Sequence, residues 1–429
     1  MPRPDRRAGG RGARRRRPLK PPMAIPAPLR SGRFDLYWTG VVLTEIGTRG
    51  TFMANLFHMY QLTGSTLRTG LIGLFQAAAL IVLSPLGGAW ADRVDRRRLV
   101  QLTQCLALLV SLGLAVLTLA GAMRPALILV AVLLNTAAET FDRPARQAII
   151  PALVPGKDLV KAFALINPSR EVAILVGPAL AGFLIAGFGP AGMYLTDVAT
   201  FLVLIVIMQF LRVPPPPGGA RRAGVLTDIR EGFAWLRRRS LILQLIGLDL
   251  VCSLFGAYRA VLPALATDVL HAGASGFGLL AAAPAVGALV GSALVFPLIG
   301  KVRSGPLVLG ATAAYGLMAI GLGQAPVLTL ALAAAAGLGL CDALHTAIRH
   351  AAVQIETPDG MRGRVTSTYQ IASRGGPALG DLNVGGVAGV LGPVAALSMG
   401  GVVPIVVAAA VAVKGRLVRG YQVPAHESA

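Results

Sequence analysis

The residues of this chain best suited to chemistry are carboxylates and arginines set within apolar stretches. Glu45 precedes Arg49 by one helical turn, and Glu139 and Asp142 stand three residues apart with Arg143 and Arg146 beside them. Arg170, Arg374 and Asp381 also sit among small and apolar residues. A carboxyl group in such a setting holds or releases a proton according to whether a cation faces it. This is equipment for moving protons rather than for breaking bonds. Each charge at the centre of a membrane span costs about 2.5–3.5 kcal/mol on insertion scales, so these groups must pair or face a wet cavity. Glu45, Glu139 and Asp142 are the candidates for proton coupling. Arg49, Arg146, Arg170, Arg374 and Asp381 are their candidate charge partners. Glu45 and Arg49 can neutralise each other along one helix face. Asp381 falls two turns from Arg374 on the same face, whereas Asp249 and Arg259 need partners elsewhere. For each residue the competing reading is a structural ion pair that orients helices.

Bond-breaking or cofactor chemistry has little to stand on. Neither Gly-x-x-x-x-Gly-Lys-Ser/Thr nor His-Glu-x-x-His occurs, and among five histidines only His345 and His350 are close. Cys105, Cys252 and Cys341 are far apart and have no metal-binding spacing. The expectation is a protein that is not an enzyme, with no cofactor and no metal.

The elements that must position these charges are membrane helices. Of 429 residues, 55% are hydrophobic and 14% charged, against about a quarter charged in soluble domains. A span needs ~20 apolar residues. The pattern predicts spans at 35–62, 67–90, 98–121, 125–148, 158–187 and 190–211, then 240–269, 275–299, 305–323, 326–350, 364–389 and 392–413. The fold class is an all-α polytopic membrane protein of two six-helix bundles around a central cavity. Residues 1–33 form a basic arm, expected to be disordered or to touch lipid headgroups. Residues 34–211 are the first bundle, 240–415 the second and 416–429 a tail. Residues 212–239, with Pro214 to Pro217 and then Gly218 and Gly219, cannot span and form a linker that a short amphipathic helix, Asp228 to Arg239, closes. Met23 opens an unexceptional stretch and is a candidate natural start, an idea that native protein beginning at Pro2 would sink.

The net charge of +21 invites a nucleic-acid reading, but its placement opposes one. Thirty-four of the 40 Lys and Arg fall on one side of the predicted spans, and only Arg68 and Arg124 on the other. Positive residues favour the cytoplasmic side. The expectation is therefore a cytoplasmic-membrane protein with both termini and the linker inside, partnered by lipid and not by nucleic acid.

The two halves echo each other. Gly177-Pro178-Ala179-Leu180 recurs as Gly376-Pro377-Ala378-Leu379, offset by 199. At an offset of 203, Glu139 aligns with Asp342, Asp142 with His345, Arg146 with Arg349 and Pro155 with Pro358. Two bundles related by an internal repeat and facing a central site are a transporter arrangement.

One segment is more specific. Gly88-Ala-Trp-Ala-Asp92-Arg93-Val-Asp95-Arg96-Arg97 lies between predicted spans 2 and 3. It resembles the Gly-x-x-x-Asp-Arg-x-Gly-Arg-Arg loop of the major facilitator superfamily, with Asp95 in place of the second glycine. The resemblance covers nearly all of 33–415. It implies that Gly88, Asp92, Arg93, Arg96 and Arg97 form a gate, a charge network that latches the halves when the cytoplasmic side is closed; a basic loop that only sets topology is the alternative. Gly177, Pro178 and Gly182 resemble the span 5 signature of the superfamily's exporters, although Ala173 and Ala181 stand where that signature has glycine; ordinary packing around a kink competes. Asp142-Arg143-Pro144-Ala-Arg146-Gln147 resembles the enterobactin-exporter-like branch. The resemblance implies export of a small amphiphilic molecule, such as a siderophore, drug or metabolite, by proton antiport through alternating access, and a monomer. The alternatives are a nutrient importer of the same fold and a transport-inactive receptor or accessory protein.

Overall fold

The computed structural model describes residues 32–91, 94–211, 213, 225–298 and 302–422, so the basic arm, Asp92, Arg93 and the linker's whole proline run lie outside the described residues. The chain is helical nearly throughout. The first half comprises α1 (Gly32–Thr63), α2 (Thr66–Ala91), α3 (Arg96–Leu119), α4 (Pro125–Leu153) and α5 (Leu159–Phe210). The amphipathic α6 (Val225–Arg237) follows. The second half comprises α7 (Ser240–Phe255), α8 (Gly273–Leu298), α9 (Ser304–Gln324), α10 (Leu328–Glu356), α11 (Arg362–Leu391) and α12 (Pro393–Lys414), with a short α13 (Arg416–Gly420) after them.

Among the described residues, nine stretches are long and apolar enough to cross a membrane. One of them, 156–210, holds two spans, because Gly189 at φ 68° interrupts it and Pro190 follows. An L side chain rarely adopts that φ, so glycine permits the reversal between predicted spans 5 and 6. The helices α1 and α11 fall below that apolar standard. At 32 and 30 residues they are long enough to span at 1.5 Å per residue, but Glu45, Arg49, Arg374 and Asp381 dilute their apolar character. Counting them gives the expected twelve spans in two six-helix bundles.

Predicted span 7 differs in detail. Its helix stops at Phe255 and resumes at Arg259 through a 3-10 turn, a short α turn and the π turn Leu265–Val269. The Tyr315 hydroxyl donates to the Gly256 carbonyl at 3.1 Å and its ring fills the space a Gly256 side chain would need, which diverts the backbone from the helical pattern. The amphipathic helix begins three residues earlier than expected. Its Leu236 packs with Ile242, Ile246, Val365 and Tyr369, and Glu231 pairs with Arg364 at 2.5 Å.

Every glycine of positive φ in the described chain, namely Gly64, Gly121, Gly189, Gly273 and Gly392, lies in a connection at one end of the bundles, the turn side. The linker lies at the other end, the linker side. On the turn side the halves are closely joined. Gly182 abuts Gly278 so tightly that a Cβ there would come within 2.5 Å of the Gly278 Cα. Gly70 meets the backbone at Asp381, the Thr66 hydroxyl donates to the Gly385 carbonyl at 3.1 Å, and the Phe57 and Phe277 rings lie 5.2 Å apart. Tyr60 of α1 hydrogen-bonds Asp268. Arg170, Glu171, Asp342 and Arg374 are exposed, and Arg374 of the second half stands near Arg170 and Glu139 of the first.

Candidate functional site

The charges converge on the first half. On α1, Glu45 pairs with Arg49 at 3.7 Å, and Arg49 reaches Glu139 of α4 at 4.0 Å. Arg143, one turn along α4, approaches Glu139 at 3.7 Å. Arg170 of α5 and Arg374 of α11 also face Glu139, and neither has an ion-pair or hydrogen-bond partner among the described residues. Glu139 thus stands among four guanidiniums, one of them from the second half, and its side chain is 34% exposed. It joins the interior of the first half to the space between the halves.

Asp142 has a different environment, although it is only three residues away. It pairs with Arg146 on the same helix and accepts from the Thr103 hydroxyl of α3 at 3.1 Å, and Gln104 reaches it as well. The Tyr37 hydroxyl in turn donates to the Arg146 carbonyl at 2.8 Å. The two carboxylates on α4 therefore serve different partners and do not share a site. Between α1, α3, α4 and α5 lies a polar cavity of about 70 Å³, lined by Glu45, Arg49, Glu139, Asp142 and Arg146 together with Asp197. A space of this size and polarity accommodates a few waters.

Asp197 was not among the sequence candidates. It lies in the middle of the second span of α5, is 1% exposed, and accepts from the Ser111 hydroxyl at 2.8 Å. A single Asp in an apolar run is the available signal, but its hydroxyl partner is 86 residues away in sequence.

The second half holds its charges differently. Asp381 pairs with Arg259 at 2.6 Å rather than with Arg374 on its own helix, and Arg259 also lies over the Phe52 ring of α1, 5.2 Å from its centroid. Asp249 of α7 pairs with Arg349 of α10, His345 lies 3.8 Å from the same carboxylate, and Arg349 stacks on the Tyr369 ring of α11. Both residues that needed distant partners have found them.

The span 5 motif has two faces. Gly177 accommodates α1 at Arg49, where a Cβ would come within 2.7 Å of the Arg49 Cβ and 2.8 Å of the Ile46 carbonyl. Gly182 and the Pro178 carbonyl instead meet Gly278 of the second half. Small residues permit such approaches in membranes, where packing drives helix association. In the segment between α2 and α3, Gly88 lies within α2, and Arg96 and Arg97 contact the first half. Arg96 donates to the Ala148 carbonyl at 3.1 Å, and Arg97 to the Gln209 carbonyl at 2.9 Å. Asp95, which stands where the superfamily pattern has glycine, caps α3 by accepting from the Arg97 amide at 2.9 Å.

The profile described as transmembrane secretion effector matches residues 24–427. The chain belongs to this family of the major facilitator superfamily. The transmembrane secretion effector relatives include the enterobactin exporter EntS of Citrobacter koseri, 30% identical over 346 residues that cover 79% of this chain and 81% of the relative. EntS of Escherichia coli O127:H6 is 29% identical over the same shares. In architecture the chain is similar to the nucleoside transporter NupG, with a TM-score of 0.75 at 13% identity covering 90% and 99% of the two chains. It is also similar to a bacterial homologue of the iron transporter ferroportin in an inward-facing state, with a TM-score of 0.63 at 17% identity covering 87% and 98%. At these identities the structural likeness establishes the fold alone. A member of this family is a multi-pass membrane transporter and not an enzyme.

Proposed function

We propose that this transporter exports a small amphiphilic molecule from the cytoplasm by proton antiport through alternating access. The observation that carries the reading is Glu139. It is a carboxylate that lines a polar cavity of the first half, held by Arg49 and Arg143 and faced by Arg374 of the second half. When Glu139 takes a proton, Arg143 loses its partner and Arg49 is left with Glu45 alone. The balance of charge between the halves then changes, which is what coupling protonation to rocking requires. Glu45 and Asp142 border the same cavity and complete the coupling group.

The direction of transport rests on likeness to enterobactin exporters over most of the chain. The clustering of Lys and Arg on the linker side supports a cytoplasmic-membrane location with the termini and linker inside. On that orientation the linker side is the cytoplasmic side. Asp92, Arg93, Arg96 and Arg97, with Gly88 at the end of α2, act as the gate that closes this side. Arg96 and Arg97 then exchange their present contacts within the first half for contacts across the gap. The working unit is a monomer.

The test uses everted membrane vesicles energised acid inside. Siderophores and amphiphilic drugs are added, and the proton gradient is followed by a quenched dye. Ligand-evoked loss of the gradient, absent in Glu139→Gln, supports antiport. No response, together with ligand uptake by whole cells, moves the protein to the importer reading.

A further inference from the structure

Within the spans the part-exposed Glu139 has Arg49 and Arg143 against it, and the buried Asp142, Asp249 and Asp381 have Arg146, Arg349 and Arg259. Asp197 has none. Its neighbours are hydroxyls, one from each of three helical segments: Ser111 of α3 at 2.8 Å, Thr51 of α1 and Thr200 one turn along α5. Its second oxygen, Oδ1, is buried without a hydrogen-bond partner. That oxygen lies against Gly47 of α1, where a Cβ would come within 2.6 Å of it. The charged and titratable groups around it are set back. Glu45 and Arg49 on α1 and Glu139, Asp142 and Arg146 on α4 line the same cavity, and Gln104 of α3 and Asn135 and Thr136 of α4 complete its polar wall. Toward the turn side, His58 contacts the Tyr194 hydroxyl at 3.2 Å, one turn before Asp197 on α5.

An ionised carboxylate stripped of water with no cation against it is among the costliest groups a protein can bury. A carboxylic acid in the same place costs far less, and its proton supplies the donor that the partnerless oxygen lacks. We propose that Asp197 holds a proton in this conformation and is the coupling site's inner station, exchanging that proton with Glu139 through the water of the cavity between them. The proposal rests on the antiport reading and gives it a second address. Glu139 meets the space between the halves, and Asp197 stores the proton behind it. The transfer is a simple exchange: a cavity water gives a proton to the Asp197 carboxylate, which becomes the neutral acid, and Glu139 resupplies that water. Gly47 is the glycine that leaves Oδ1 its place.

The test takes purified full-length protein in lipid vesicles and reads the carbonyl stretch of protonated carboxyl groups by infrared difference spectroscopy. Wild type, Asp197→Asn and Glu139→Gln are compared across pH. Asn keeps the shape and can still accept from Ser111, so a merely structural role survives the change. The expected result is a protonated-carboxyl band at neutral pH that is missing from Asp197→Asn and retained in Glu139→Gln. Ligand-evoked proton movement in Asp197→Asn should drop about tenfold or more, while exchange of ligand for ligand stays within about twofold of wild type. A band unchanged by Asp197→Asn, or full proton coupling in that variant, overturns the proposal. So does thermal stabilisation by sodium over potassium that Asp197→Asn abolishes, which would assign the site to a metal cation. If wild type moves ligand but no protons, the antiport reading itself falls. If wild type is coupled and Asp197→Asn is equally coupled, only this inference falls.

Discussion

The repeat places charge at equivalent positions of α4 and α10, yet the two halves use it in opposite ways. On α4, Asp142 and Arg146 pair within their own helix, and Glu139 looks out through a polar cavity. On α10, Arg349 is 2% exposed and ties three helices together, gripping Asp249 of α7 and stacking on Tyr369 of α11. One network borders water and can change its protonation during a cycle. The other is dry and has no slack. The arrangement argues that one half is the titrating part and the other the frame it moves against.

The largest effect should come from breaking the dry network. Arg349→Leu leaves Asp249 charged and buried with only His345 beside it, which costs about 3–5 kcal/mol. The variant should be lost from the monodisperse fraction after detergent extraction, and Asp249→Leu combined with Arg349→Leu should recover most of the protein. If Arg349→Leu alone is as stable as wild type, the second half is not the rigid partner described here. The wet network should respond in the reverse sense. Glu139→Gln should reduce ligand-evoked proton movement about tenfold or more, yet leave stability within about 1 kcal/mol, because Gln can remain in a partly hydrated site. A large stability loss there would erase the contrast between the halves.

A third change probes the surface across which they rock. Gly182→Val places a branched side chain where even a lone Cβ would lie 2.5 Å from the Gly278 backbone. It should wedge the turn side open, and a thiol reagent should then label a Phe57→Cys reporter several-fold faster than in the Gly182 background. Tyr60→Phe is the mildest test. It removes one hydroxyl from Asp268 across the same surface and should shift reporter labelling by an amount equivalent to about 1 kcal/mol or less.

Much of the architecture was legible because its signals are local. The break between spans 5 and 6 is announced by Gly189-Pro190, and the structure turns at Gly189. The motif between spans 2 and 3 pointed to the superfamily that the profile match establishes. Partnerships were less legible. Asp381 and Arg374 share a helix and looked like a pair, but Arg259, 122 residues away in sequence, occupies the place beside Asp381. Sequence spacing finds partners within one helix and is blind to those on another. Asp197 escaped notice for the same reason, since its setting is made by hydroxyls on separate spans. The broken seventh span depends on Tyr315, a side chain of a different helix, and no window along 240–269 contains it.

The glycine reversals on the turn side have a consequence for anything that approaches the protein from that compartment. Two residues separate α1 from α2, Gly189 alone bends one span into the next, and Gly392 alone divides α11 from α12. Such a face has hardly a strand of slack chain for a protease to thread, for an antibody to wrap or for an engineer to lengthen with a tag. An inserted tag is better placed at the linker, on the opposite face.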